Sequence, residues 1–213
     1  MLAYYLTVKQ LGVKEIVVKK SRFIASVKPI ANEQEVVSWL ISMKKENPWA
    51  QHHCYAYVIG ERDEIQKQSD DGEPSGTAGK PILEVIKQQG LKNTAVIVTR
   101  YFGGIKLGSG GLVGAYTDAT VVGIEAAVKV YRVLHRNVQV EVSYAWFRKL
   151  EHAFNSKNLR LGEISFTDQV IIECYPLEQD TETFVSWVNN LTQGQCETRI
   201  KDHIYHTHDN FPH

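Results

Sequence analysis

Cysteine is scarce in this chain, and the few present do not pair. Cys54, Cys174 and Cys196 are odd in number, far apart and without a Cys-x-x-Cys. A disulfide framework is excluded as the source of stability, and thiols kept reduced in a cytoplasm are the expectation. No apolar run reaches the ~18–20 residues that a membrane span needs. The opening Met1-Leu2-Ala3-Tyr4-Tyr5-Leu6-Thr7 lacks a basic region followed by an apolar core, so no secretion signal is read there. Net charge is missing too, because 24 Lys+Arg meet 24 Asp+Glu. A protein that grips nucleic acid through its phosphates is usually basic, so only a local patch could do so here. The balance is uneven along the chain. Residues 1–134 hold 17 Lys+Arg against 13 Asp+Glu, net +4, and the rest hold 7 against 11, net −4. Such a patch would belong on the first part rather than the second. The length of 213 residues and the hydrophobic fraction of 43% allow one large or two small globular domains.

Glycine is concentrated where other signals converge. Five of the 15 glycines lie between Gly103 and Gly111, in Arg100-Tyr101-Phe102-Gly103-Gly104-Ile105-Lys106-Leu107-Gly108-Ser109-Gly110-Gly111. The β-branched run Ala95–Thr99 before them reads as a buried strand. Leu112 to about Val130 reads as a helix. Strand, glycine loop and helix in that order leave backbone amides at a helix start, where they attract an anion, and Lys106 and Ser109 add a cation and a hydroxyl. No Gly-Lys-Ser/Thr follows, so this is not a phosphate loop of the Walker type. No Gly-x-Gly-x-x-Gly holds either, since Val113 stands where the third glycine belongs. Two readings stay open, a tight turn that serves packing and a loop that binds an anion or a partner.

Residues 14–20 and 22–28 read as strands, with the basic cluster Lys19-Lys20-Ser21-Arg22 at the turn between them. Asn32 is a helix cap with Glu35 three residues on, and Val36, Trp39, Leu40 and Met43 follow at helical spacing. Residues 54–59 read as a strand with His52 and His53 at its mouth. Neighbours on a strand point to opposite faces, so the two histidines are poorly placed to share one ion, and a hydrogen-bonding role is preferred. His52 and Cys54 do share a face, which raises a thiol nucleophile, although no third orienting group is visible.

Residues 60–80 read as a polar loop containing Asp70, Asp71, Glu73, Ser75 and Thr77, followed by a short helix opened by Pro81 and closed by Gly90. The carboxylates could hold Mg²⁺, act as acid or base, or cap backbone amides and a helix start. Capping is preferred, because one loop alone does not show a converging ligand set. In the next helix, Leu112, Ala115, Ala119, Val122, Ala126 and Val130 form a stripe of mostly small side chains that reads as core packed closely on a sheet.

Tyr131–Leu134 closes the first unit as a strand, with a boundary near His135-Arg136. Beyond it the order is strand (Val138–Ser143), helix (144–157), hairpin (Arg160–Thr167 and Gln169–Pro176), helix (179–192), strand (Cys196–Ile204). That is β-α-β-β-α-β, a ferredoxin-like arrangement. The tail from His203 to His213 carries four histidines. A frayed terminus is preferred there to a metal site.

Asp70–Gly79 and Thr99–Gly108 resemble the signatures of the YigZ/IMPACT family, and His52, Cys54 and Ala56 resemble its earlier short motif. Gly114 departs from the pattern, where an arginine is common, so a basic contact there is not carried over. The resemblance implies an α+β chain. Residues 1–134 would form an IMPACT-type domain like the second domain of a small-subunit ribosomal protein. Residues 135–213 would form a ferredoxin-like domain like the last domain of elongation factor G. Eukaryotic relatives share the first domain and regulate translation by binding an activator of a kinase that phosphorylates an initiation factor. For the two-domain bacterial form, nucleic-acid or ribosome binding is the usual proposal. The expectation is thus a cytoplasmic, translation-linked regulatory or binding protein. It would contact RNA, a ribosome or a translation-associated protein through His52, Cys54, Asp70, Asp71, Glu73, Ser75, Thr77, Arg100, Tyr101, Gly103, Gly104, Lys106, Gly108 and Ser109, with no assigned catalytic residue or metal ligand. The alternative is an enzyme or binder of a phosphorylated small molecule, with Mg²⁺ on Asp70, Asp71 and Glu73.

Overall fold

A computed structural model of the chain describes residues 1–211. It separates into two compact units. One comprises Tyr5–Arg132 with the chain from Thr207 on, and the other comprises Val133–His206 with Met1–Tyr4. The elements in chain order are β1 (Tyr4–Val8), β2 (Gly12–Val18), β3 (Ser21–Pro29), α1 (Glu33–Glu46), β4 (His52–Ile59), β5 (Ile65–Ser69), α2 (Gly79–Gln88), β6 (Thr94–Tyr101), α3 (Gly108–Ala127) and β7 (Lys129–Val142). After these come α4 (Tyr144–Ser156), β8 (Leu161–Phe166), β9 (Val170–Cys174), a 3₁₀ turn (Glu178–Asp180), α5 (Thr181–Leu191) and β10 (Cys196–His208).

The N-terminal unit is built on an antiparallel sheet in the order β2-β3-β6-β4-β5. Side chains alternate across a strand, and both faces of this sheet are used. Phe23, Ala25, Val27, Cys54, Ala56, Val58, Val96 and Val98 pack with α2 and α3 on one face. Tyr57, Ile59 and Ala95 pack with Ile30 and with Val36 and Trp39 of α1 on the other. The helix α1 starts as its sequence dictates, with the Glu35 amide donating to Asn32 Oδ1 at 3.0 Å and the Glu35 carboxylate accepting from the Ala31 amide at 3.0 Å. The small-residue stripe of α3 has the expected purpose. A Cβ on Gly123 would lie 2.8 Å from the Ala25 Cβ, so helix and sheet close on each other there.

The C-terminal unit has the strand order β10-β7-β9-β8, with β7–β9 and β9–β8 antiparallel. In its own order of strands this is 4-1-3-2, the ferredoxin-like arrangement. Leu150 and Phe154 of α4 and Phe184 and Val188 of α5 close over Val138, Val140, Val142, Val170, Ile172 and Cys174.

Several expectations from sequence are corrected. The polar segment 60–80 contains the strand β5, whose only aliphatic residue is Ile65; an edge strand with one open face needs no apolar alternation. Tyr4–Val8 is also a strand. The helix α3 begins at Gly108, so Gly108, Ser109, Gly110 and Gly111 form its exposed first turn rather than a loop, despite the poor helix propensity of glycine. The strands read at Tyr131–Leu134 and Val138–Ser143 are one, because β7 runs unbroken through His135-Arg136, where neither Gly nor Pro interrupts an extended run. The tail is not frayed through His208. It continues β10, and Arg132 donates to Thr207 Oγ1 at 3.0 Å and Lys9 pairs with Asp209 at 2.7 Å. Pro212 and His213 of the histidine-rich tail lie outside the described residues.

Candidate functional site

The registers of the N-terminal sheet gather the motif residues at one end. His52 stands opposite Arg100 across β4 and β6, and Arg22 stands opposite Tyr101 across β3 and β6. The start of β4, the end of β6 and the β2–β3 turn therefore meet. In that turn Lys19 and Lys20 both have positive φ, 45° and 66°, as a two-residue hairpin of the primed type requires.

The carboxylates of the 70–79 loop divide their work. Asp70 accepts from the amides of Gly76 (2.9 Å), Ala78 (3.0 Å) and Gly79 (2.8 Å), and so caps α2 from a distance. Burial alone would raise its carboxyl, but these three amides together hold it below the usual aspartate value. Asp71 accepts from the His53 amide at 2.7 Å and pairs with Lys44 at 2.9 Å, while its carbonyl meets His52 Nδ1 at 2.8 Å. Thr77 donates to the Pro74 carbonyl at 2.6 Å, and Ser75 is exposed. The third carboxylate, Glu73, turns inward.

Glu73 Oε1 accepts from Arg100 at 2.5 Å and from the Tyr116 hydroxyl at 2.8 Å, with His52 Nε2 3.9 Å away. The three are buried, at 8% exposure for Glu73, 5% for Arg100 and 0% for Tyr116. The Cys54 thiol donates to the Asp70 carbonyl (3.0 Å) and meets the same Tyr116 hydroxyl (3.2 Å). The Arg100 guanidinium also reaches Ser21 Oγ at 3.4 Å and lies over the rings of Phe23 (5.2 Å) and Phe102 (5.6 Å). Burial pushes the Cys54 thiol up to about 12 and raises the Tyr116 hydroxyl as well. The result is a closed internal network, Cys54–Tyr116–Glu73–Arg100, joining the two motif stretches.

Beyond β6 the chain turns outward. The Gly103 amide donates to Ser21 Oγ at 3.1 Å, and a Cβ on Gly103 would collide with the Lys20 carbonyl group. Only glycine fits against that hairpin. Lys106 and Ser109 are exposed and make no side-chain bond among the described residues. The helix α3 starts without a side-chain cap and without an acidic residue in its first turn, so its leading amides are open to an anion. Tyr101 donates to Asn47 Oδ1 at 2.9 Å.

Arg100, expected from sequence to face a phosphate backbone, is instead buried against Glu73. His52, Cys54, Asp70, Asp71, Glu73 and Arg100 come together, whereas Lys106 and Ser109 lie on the exposed side of the same end. Asp70, Asp71 and Glu73 each have their own donors, and among the described residues no group of three His, Cys, Asp or Glu is placed to hold a metal ion. The surroundings give the Cys54–His52 nucleophile no support, since the thiol is fully buried, donates to the Asp70 carbonyl and meets the Tyr116 hydroxyl, and burial raises it further. Tyr116, Ser21 and the Asn47–Gln51 turn were not foreseen from sequence. Tyr116 falls one helical turn after Leu112, in phase with the buried stripe of α3, and that spacing was the available signal. Ser21 and Gln51 had none, being ordinary polar residues that only folding brings near. A cavity of about 460 Å³ lies apart from these residues, lined by Thr7, Lys9, Ile30, Asn93, Val130 and Arg132 among others.

Comparison with known proteins gives a consistent set of likenesses. Residues 19–124 match the Impact N-terminal domain, and residues 140–195 match a domain of unknown function, DUF1949. The chain is 45% identical to IMPACT family member YvyE of Bacillus subtilis over 96% of its own length and 94% of that protein. It is 33% identical to an IMPACT family member of Haemophilus influenzae over 93% of its length and 98% of that protein. A solved structure described as a crystal structure of an hypothetical protein superposes with a TM-score of 0.62 at 24% identity, over 95% of this chain and 99% of that one.

Proposed function

The chain belongs to the IMPACT family, and from that premise we propose that it is a translation-linked regulatory binding protein of the cytoplasm. Its N-terminal unit engages a phosphate-bearing partner, RNA or the ribosome, through the end of the sheet that carries the motif loops. What supports this reading is how the polar groups are divided. The acids, the arginine and the thiol expected to do chemistry are consumed internally, Glu73 by Arg100 and Tyr116, Asp70 by three amides, and Cys54 by Tyr116. Lys106, Ser109 and the first amides of α3 are turned outward instead. A buried hydrogen-bonded network fixes a surface in place even though Arg100 Nε is left without a partner, and an exposed cation beside open amides recognises an anion. Among the described residues no helix is long and apolar enough to cross a membrane.

The test is recovery of RNA or ribosomes from a lysate by the full chain at ~50 mM and ~200 mM salt, with Lys106→Ala/Ser109→Ala alongside. Recovery at the lower salt, lost at the higher and reduced in the double variant, is the expected result. Failure to recover either at the lower salt sinks the reading. Arg100→Ala is not a useful probe here, because it strips Glu73 of its partner inside the protein.

A further inference from the structure

Trp49 is 84% exposed, more than any other large hydrophobic side chain described in the chain. It does not sit in a loose loop. The Ala50 amide donates to the Asn47 carbonyl (3.1 Å) and the Gln51 amide donates to the Arg100 carbonyl (3.0 Å). The Gln51 side chain closes the turn on both sides, donating to the Trp49 carbonyl (3.0 Å) and accepting from the Phe102 amide (2.8 Å). Phe102, itself 47% exposed, follows the end of β6 directly, and Ile105 is 42% exposed three residues on. The backbone of the turn that carries an exposed Trp49 is thus tied to the backbone of Phe102, at the same end of the sheet as the motif loops.

Charge surrounds these rings. Lys19 and Lys20 form the tip of the β2–β3 turn, against which Gly103 packs, and Lys106 follows Ile105. All three are exposed and have no carboxylate partner among the described residues. Two further cations nearby are neutralised, Arg22, which lies 5.2 Å over the Tyr101 ring, by Glu15 at 2.8 Å and Lys44 by Asp71 at 2.9 Å. Exposed aromatic faces framed by unpaired cations are the chemistry of a single-stranded nucleic acid, whose bases stack while its phosphates meet lysine. A duplex keeps its bases inside and offers no ring to stack on. Among the described residues the unpaired charge around the rings is mainly positive, Lys19, Lys20 and Lys106 against Glu46, whose carboxylate accepts only from Ser42 Oγ at 2.6 Å, and this balance favours a polyanion.

We propose that Trp49 and Phe102 form a base-stacking platform for single-stranded RNA, with Lys19, Lys20 and Lys106 on its phosphates. This rests on the reading of the N-terminal unit as a binder of a phosphate-bearing partner and names the form of nucleic acid it takes. The test is fluorescence anisotropy of the full chain with a labelled oligouridine of about ten nucleotides and with a duplex of the same length, at ~50 mM and ~200 mM salt. Trp49→Ala and Trp49→Phe are compared with the wild type; the ring is exposed, so neither variant disturbs the core, and equal thermal midpoints verify this. The single strand is expected to bind about ten-fold or more tightly than the duplex, Trp49→Ala to weaken it by about ten-fold, and Trp49→Phe to keep most of the affinity. Binding should also quench tryptophan emission in the wild type and leave the Trp49→Phe protein largely unquenched. If single strand and duplex bind equally, or Trp49→Ala binds as the wild type does, the platform is wrong while the phosphate-binding reading stands. If neither nucleic acid binds at the lower salt, both fail together.

Discussion

Glu73 Oε1 accepts from two buried donors at once, Arg100 and Tyr116, and this makes it the residue on which the site's rigidity depends. Breaking a buried pair leaves an unmatched charge in a dry environment. Glu73→Gln is therefore expected to destabilise the N-terminal unit by about 3–5 kcal/mol. Tyr116→Phe, which removes one donor to a charged acceptor, should lose only about 1.5–3 kcal/mol. Denaturant midpoints of the two variants check the order, and an equal or reversed order would mean that the pair is not the centre of the network. His53 offers a separate test through pH. It is 5% exposed, its Nδ1 lies 3.1 Å from Thr99 Oγ1, and burial lowers its pKa below the usual 6.5. In the window between that lowered value and 6.5 the unfolded chain binds a proton that the folded chain refuses, so stability is full above the window and falls as pH drops through it. His53→Gln should flatten this part of the wild-type pH–stability curve. Parallel curves for the two proteins below about pH 6.5 would remove His53 from the account.

At the scale of elements, two glycines of neighbouring segments carry opposite expectations. Gly103 joins β6 to the outward turn and presses on the β2–β3 hairpin, where a Cβ would collide with backbone atoms of Lys20 and Ser21. Backbone cannot yield as a flexible side chain does, so Gly103→Ala should destabilise by about 1–3 kcal/mol. Gly114 sits on the exposed face of α3, where an added methyl group would meet nothing within 4 Å, and Gly114→Ala should stabilise by about 1 kcal/mol through helix propensity. Thermal unfolding of both variants reads the two signs directly. The same elements show how legible the sequence was. The cap of α1 was readable because Asn32 and Glu35 act within one turn. The start of α3 at Gly108 was not, because three glycines in a first turn argue locally for a loop, whereas here an exposed first turn leads into a helix whose later residues pack on the sheet, Gly123 against Ala25.

For the whole molecule, the thiols report on both units in one experiment. Cys54 lies in the core of the N-terminal unit and Cys174 in that of the C-terminal unit, and burial pushes each up to about 12; Cys196, on β10, is half-buried. Native protein at about pH 8 should expose one of its three cysteines to a thiol reagent within minutes, and all three on unfolding. Cys196→Ser should abolish the fast reaction. Fast labelling of Cys54 in the native state would show that the motif network opens.

The sequence by itself determined the two-part α+β architecture, the β-α-β-β-α-β order of the second unit and the kinship carried by Asp70–Gly79 and Thr99–Gly108. The strand and helix order is a property of spacing, alternation and local turn chemistry, which act over a few residues, and the kinship rests on the likeness of those two stretches to known signatures. The sequence also allowed the carboxylates of the 70–79 loop to be read together as caps of backbone amides, a use that Asp70 has with Gly76, Ala78 and Gly79. Tertiary structure decided the rest. Arg100 was legible as a cation but not as a buried one, since its partner Glu73 lies 27 residues away and their meeting depends on strand register. Trp49 carries no local mark that separates it from a core tryptophan. Its exposure follows from the turn that Gln51 clamps to β6, a contact 51 residues long in sequence. Burial and long-range pairing are collective results of folding, and they are what turned a group of reactive side chains into a scaffold and left aromatic rings and lysines facing water.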